Sequence, residues 1–278
     1  MTARGRTLFA SFNLIGDTLA QTPALRAYRA AHPNEEVHWL VQDDAMRPLL
    51  EGMPAAGVCD AIVFEKEWDR IRSMAYDGYA ARVLMDVQEA FRIGSENHLH
   101  IAQAYGRMLG VNIAPDDVLP TVPLRKDDLD AVDVPEHCLV MSPRSVSNDP
   151  INKTLPWHAV AALADRFRAA GRIDDHVVLL REQDPPPELP VRVMRLSLSH
   201  AAAYVAKACA RGGAYCGVDN GITHIASGLR VPTFCVYPAG MWEGWTGYTT
   251  FAHYRIAKTR PELADVDAIW DAWNTRLD

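Results

Sequence analysis

The sequence predicts an α/β protein made of two doubly wound halves, each a parallel sheet covered by helices. Short apolar runs alternate with helical patterns almost throughout, as βαβ units require. One polar stretch, residues 114–135, breaks the alternation; it holds Pro115, Pro120, Pro123 and several Asp residues and has the composition of an interdomain connection. The length, 278 residues, accommodates two domains of about 130–140 residues each. The expected domains are therefore 1–130 and 131–278.

The elements follow in order. Residues 7–12 read as a first strand, and a turn at 13–16 leads into an amphipathic helix through about Ala31. Residues 36–41, 61–64 and 81–87 are further strands, and 97–109 is a helix closed by Gly110. Residues 66–72 mix Lys66, Arg70 and Arg72 with Glu65, Glu67 and Asp69, the composition of a solvated helix face. After the connection the pattern restarts with strand 137–142, helix 157–170 and strand 177–181. Helix 199–210, strand 213–217, helix 222–229 and strand 231–237 come next, and 262–273 is a last amphipathic helix, free to pack back on the first domain. Pro185–Pro187 reads as a turn or stiff loop.

Composition removes several function classes. With 49% hydrophobic and 23% charged residues the chain is ordinary globular protein, and its apolar runs fall far short of the roughly 20 residues of a membrane span. Arg4 and Arg6 before 7–15 faintly resemble a signal peptide, but Asn13 and Asp17 interrupt the segment, so a buried first strand in a cytoplasmic protein is expected. The five cysteines are odd in number and lack CxxC spacing, as expected of free thiols in a reducing compartment. The net charge is −7, and no basic tract suggests nucleic acid. His98 and His100, two residues apart, do not share a helix face and have no matched carboxylate, so no metal site is expected.

Three stretches could carry chemistry. Asn13-Leu14-Ile15-Gly16-Asp17 lies where the first strand meets the first helix, the edge at which open α/β sheets bind ligands. Asp17 is either a general base or a helix cap. A lone Gly16 in place of GxGxxG argues against a nicotinamide dehydrogenase. In the second stretch, Gly217 to His224, a strand ends in a glycine-containing turn and a helix begins. Free N–H groups at Asn220, Gly221, Ile222 and Thr223 would suit a diphosphate, with His224 able to donate to it. A capped helix with a buried histidine is the alternative. The third stretch places Ser145 and Lys153 after the first strand of the second half, where they serve either as phosphate contacts or as solvated surface. Trp242 and Trp245, around Glu243, form either a ligand wall or core closure.

Taken together these stretches resemble the heptosyltransferase family of glycosyltransferases, family 9, which use ADP-heptose in lipopolysaccharide core assembly. Gly16-Asp17 with Pro23-Ala24-Leu25 resembles the family's start, and Lys153-Thr154-Leu155-Pro156 resembles its Lys-x-Trp-Pro element. Val218 to Ala226, followed by Val231-Pro232, resembles its Asp-Thr-Gly-x-x-His signature, and 97–110 resembles its His-containing helix ending in Leu-Gly. The resemblance implies a GT-B fold, two Rossmann-like domains facing across a cleft. It implies an inverting, metal-independent transfer from a nucleotide-sugar donor, a substrate rather than a cofactor, to a carbohydrate or small-molecule acceptor. It assigns Asp17 as base, Lys153 and Ser145 as phosphate contacts, Asp219 to His224 as the donor-diphosphate loop, and Glu182 to the nucleoside. Two departures stand out: Asn220 replaces the usual Thr or Ser, and Leu155 the usual Trp. Residues 1–130 hold 13 Lys and Arg against 19 Asp and Glu, unlike the basic acceptor surface of the lipopolysaccharide enzymes. A neutral, cationic or soluble acceptor is therefore expected, with at most peripheral membrane contact and a monomeric chain. An epimerase or hydrolase of the same fold, or a silent nucleotide-sugar-binding protein, is the competing reading.

Overall fold

The computed structural model describes residues 5–43, 45–145, 153–179, 191–238, 248, 254–259 and 266–274. The chain divides into two compact units at Pro123–Leu124, a few residues before the expected boundary.

The first unit carries β1 (Gly5–Ser11), α1 (Ile15–Ala20), α2 (Thr22–Ala31), β2 (Glu35–Gln42), α3 (Arg47–Leu50), β3 (Ala61–Glu65), α4 (Trp68–Ser73), β4 (Ala81–Leu84), α5 (Val87–Asn97) and α6 (Ile101–Met108). Its four strands are all parallel in the order β3-β2-β1-β4. Leu8, Phe9 and Ala10 of β1 are buried in succession, the pattern of a strand covered on both faces.

The helix expected to run unbroken to Ala31 is instead two, α1 and α2. Pro23 has no N–H for the carbonyl of Leu19, and the Thr22 hydroxyl donates to that carbonyl at 2.7 Å. The helix expected over 97–109 also differs. Asn97 ends α5, His98 takes a left-handed conformation (φ 53°), and α6 starts only after His100. Local caps cause the break: His100 Nδ1 accepts from Ala102 N at 3.2 Å, and Gln103 Oε1 accepts from His100 N at 3.1 Å. Upstream, Asp86 Oδ1 accepts from the amides of Gln88 and Glu89 and starts α5, so β4 stops at Leu84 instead of reaching Val87.

The second unit carries α7 (Lys126–Asp130), β5 (Cys138–Ser142), α8 (Trp157–Ala169), β6 (Asp175–Leu179), β7 (Arg192–Met194), α9 (Leu198–Ala210), β8 (Ala214–Val218), α10 (Gly221–Gly228), β9 (Thr233–Pro238), β10 (Tyr254–Thr259) and α11 (Val266–Asn274). Its six parallel strands run β7-β6-β5-β8-β9-β10, the doubly wound order with a switch point between β5 and β8. Alternate residues serve opposite faces. Leu139, Met141, Cys216 and Val218 pack with Leu163 and Phe167 of α8 and Ile269 of α11. Cys138, Val140 and Tyr215 pack with Tyr204, Val205 and Ala208 of α9. The last helix thus packs within its own unit, with Trp270 edge-on to Phe167 at 5.2 Å between ring centres.

Helix α7 explains where the chain divides. Lys207 Nζ of α9 donates to the carbonyls of Leu129 (3.2 Å) and Val132 (2.7 Å), and Ser199 Oγ donates to Asp128 Oδ1 at 3.2 Å. Residues 126–130, expected at the end of the first domain, are therefore built into the second. All five cysteines are free, and four are buried. No helix among the described residues is long and apolar enough to cross a membrane.

Candidate functional site

In both units the chemistry-bearing residues gather at the carboxyl ends of the strands that flank the switch point. In the first unit these are β1 and β4. Asn13, buried just past β1, donates through Nδ2 to the Met85 carbonyl just past β4 at 3.1 Å, and Gln21 Nε2 donates to the same carbonyl at 3.3 Å. Thr18 Oγ1 donates to Asn13 O at 3.1 Å, tying the turn to α1. Asp17 is the third residue of this helix, while the N-cap position belongs to Leu14, which makes no side-chain cap. Its carboxylate lies close enough to Tyr105 to act on that phenol, whose proton is held chiefly by burial and further by the charge of Asp17. Tyr105, fully buried on α6, gave no signal in the sequence beyond an apolar helix face.

In the second unit β8 ends at Val218, and Asp219 and Asn220 lead into α10. Asp219 is 5% exposed and forms the centre of a chain of polar contacts. Lys153 Nζ donates to its Oδ2 at 3.0 Å, and His224 Nε2 lies 3.6 Å from its Oδ1. His224 Nδ1 is 2.7 Å from the Tyr248 hydroxyl. Both ring nitrogens of His224 thus face protein groups, the Asp219 carboxylate on one side and the Tyr248 phenol on the other. Burial drives the Asp219 pKa upward, but His224 and the Lys153 ammonium outweigh it and hold the carboxyl below its usual range. The group is thus an ionised carboxylate inside the fold, charge-balanced by a nearly buried lysine. Tyr248 was not singled out in the sequence; no spacing rule links a tyrosine to a histidine 24 residues earlier.

The α10 N-terminus differs in detail from the four open amides expected. Asn220 Oδ1 accepts from Ile222 N at 2.9 Å and Thr223 N at 3.1 Å, so two of those amides are already met by the N-cap. The Thr223 side chain bonds the Val218 carbonyl and the Tyr215 hydroxyl, pinning the helix onto β8. Asn220 also reaches the loop after β5: its Nδ2 lies 3.0 Å from both the carbonyl and Oγ of Ser142, and 2.9 Å from the carbonyl of Arg144. Ser145, half-buried, follows directly.

The structure therefore brings Lys153, Asp219, Asn220, Gly221, Ile222, Thr223 and His224 together at one switch point, with Ser145 on the adjoining loop. Leu155, at the place of the family's usual Trp, is buried in the core beneath α8. Glu182, Pro185–Pro187, Trp242, Glu243 and Trp245 lie outside the described residues. His98 and His100 serve as a helix C-cap and N-cap. Among the described residues no group of three His, Cys, Asp or Glu converges as a metal site.

No protein-family model matches the sequence, and no curated protein matches it. Solved structures do match. A family 9 glycosyl transferase from Veillonella parvula is 15% identical, with a TM-score of 0.68, over 100% of this chain and 98% of that one. The ADP-heptose lps heptosyltransferase II of E. coli is 15% identical, with a TM-score of 0.69, over 98% of each chain. The E. coli heptosyltransferase WaaC with ADP is 15% identical, with a TM-score of 0.63, over 98% of this chain and 99% of that one. The likeness extends through both units, and the two parallel sheets are those of the GT-B glycosyltransferase fold.

Proposed function

We propose that the protein is a glycosyltransferase that moves a sugar, a heptose or a relative, from a nucleoside-diphosphate donor to an acceptor hydroxyl, with inversion and without a metal. The observation that carries this reading is the Lys153–Asp219–His224 cluster, centred on a buried carboxylate, at the β5/β8 switch point beside the N-terminus of α10. A doubly wound sheet binds nucleotides at such a point, and a helix N-terminus favours phosphate. The solved structures of like fold include one with ADP, which makes ADP the first nucleotide to try.

In this reading the acceptor oxygen attacks the anomeric carbon while its proton passes to Asp17. The bond from that carbon to the phosphate oxygen breaks, and the diphosphate leaves with the electron pair. Its charge is met by Lys153, by Ser145 and by the amides of Asn220 and Gly221, since those of Ile222 and Thr223 are engaged. Lys153 keeps Asp219 as one partner throughout. His224, with both ring nitrogens facing protein groups, steadies Asp219 and so the lysine. Glu182 is assigned to the nucleoside by resemblance alone. The acidic first half argues for a neutral, cationic or soluble acceptor; efficient transfer to phosphorylated inner-core lipopolysaccharide would overturn that part.

The test is a thermal-shift screen of ADP-, GDP-, UDP- and dTDP-sugars. A ligand that binds only the folded state stabilises it by mass action, by about 2.7 kcal/mol at a hundred times its Kd, and so raises the melting temperature. At least one donor is expected to shift it, and failure of all four would sink the reading. Consumption of donor without any acceptor would favour the epimerase or hydrolase instead.

A further inference from the structure

Asn220 stands where the resembling family has Thr or Ser, and its side chain makes contacts that a hydroxyl could not make together. Its Oδ1 caps α10 through the amides of Ile222 and Thr223. Its Nδ2 reaches three acceptors on the far side of the switch point: Ser142 O, Ser142 Oγ and Arg144 O, at 3.0, 3.0 and 2.9 Å. A serine or threonine hydroxyl can accept from the helix amides but has a single proton to give. Only a carboxamide caps the helix with one atom and binds the β5 loop with the other.

We propose that Asn220 is a positioning residue: it clamps the loop carrying Arg144 and Ser145 to the N-terminus of α10, so that the two walls of the diphosphate site keep a fixed separation. The inference rests on the reading that this switch point takes a nucleoside diphosphate, and names a residue that sets its affinity. The first unit repeats the device. There Asn13 and Gln21 donate across the β1/β4 switch point to one carbonyl, that of Met85. In both units a side-chain amide thus joins strands that the chain order leaves unconnected.

The experiment separates clamp from cap. N220S keeps a good N-cap and the same charge but loses the reach of Nδ2, whereas N220A loses both. The probe is ADP, titrated against wild type and both variants, with amide hydrogen exchange followed on the ligand-free proteins. For N220S the melting temperature is expected to fall less than for N220A, since the cap of α10 is kept, while exchange at Arg144 and Ser145 quickens and that at Ile222 and Thr223 does not. Its Kd for ADP is expected to rise about tenfold to a hundredfold, the range for loss of a buried hydrogen-bonding partner. N220A should lose the same affinity and, in addition, melt earlier. If N220S folds poorly, N220T gives the same comparison. Wild-type affinity in the serine or threonine variant would overturn the clamp and leave the donor site standing. If ADP, GDP, UDP and dTDP all fail to bind wild type, the donor reading falls and the clamp's role with it.

Discussion

Asp17 and Asp219 are both carboxylates at a strand-to-helix junction, yet their surroundings give them different work. Asp219 is buried and balanced by Lys153, so it is structural charge rather than a proton acceptor. Removing the lysine strands that charge, and Lys153→Ala is expected to destabilise the fold by about 3 kcal/mol, at the low end for a broken buried pair. A denaturant titration checks it; a loss under 1 kcal/mol would mean the pair is effectively solvated. The pH dependence follows from the depressed pKa of Asp219. Its stabilisation is complete above the usual carboxylate value of 3.8 and is lost as pH falls through the lower folded value. The stability advantage of wild type over Asp219→Asn should therefore be constant near neutrality and shrink only in acid. An advantage that vanished already at pH 6 would contradict the assignment. Asp17 is half-buried and is not the N-cap of α1, and in the proposed mechanism it takes the acceptor's proton. Asp17→Asn is expected to retain donor binding and to lose transfer by roughly 10²–10⁴-fold. Unchanged turnover would remove it from the mechanism.

Among the elements, β8 and α10 bear most directly on the site. Gly217 lets them approach: a Cβ there would sit 2.3 Å from the Tyr215 hydroxyl and 3.0 Å from Thr223 Oγ1, the pair that anchors the helix. Gly217→Ala is expected to cost about 1–3 kcal/mol and to weaken nucleotide binding, measurable by melting with and without ADP. A neutral substitution would mean that the anchor yields freely. The elements themselves were unevenly legible in the sequence. Strands β1, β5, β8 and β9 stand out because burial on both faces makes them continuous apolar runs. Helix α5 was missed since its buried positions are Ala90 and Gly94, too small to mark a stripe, while Arg92 pairs with Glu89 and Glu96 at the surface. Strand β7 is three residues long and begins with an exposed arginine. Pro23 was visible as a residue, but the Thr22 hydroxyl that takes up the Leu19 carbonyl belongs to the folded turn.

At the scale of the whole molecule, each unit has its own parallel sheet and a core covering both faces of it. Local pattern predicts that much. The contacts that define the site join residues far apart in sequence, such as Asn220 to Ser142 across 78 positions and Lys153 to Asp219 across 66. Composition and periodicity carry no information about such pairs; they follow from a strand order that sets β5 beside β8. The motifs located the residues, and the topology assembled them. The diphosphate site is probed by isothermal titration of ADP, GDP, UDP and dTDP against wild type and Lys153→Ala, under conditions where both are folded. Saturable binding of at least one nucleotide by wild type, weakened tenfold or more in the variant, is the expected result. No binding to wild type, or equal binding to both, would contradict a diphosphate site built on Lys153.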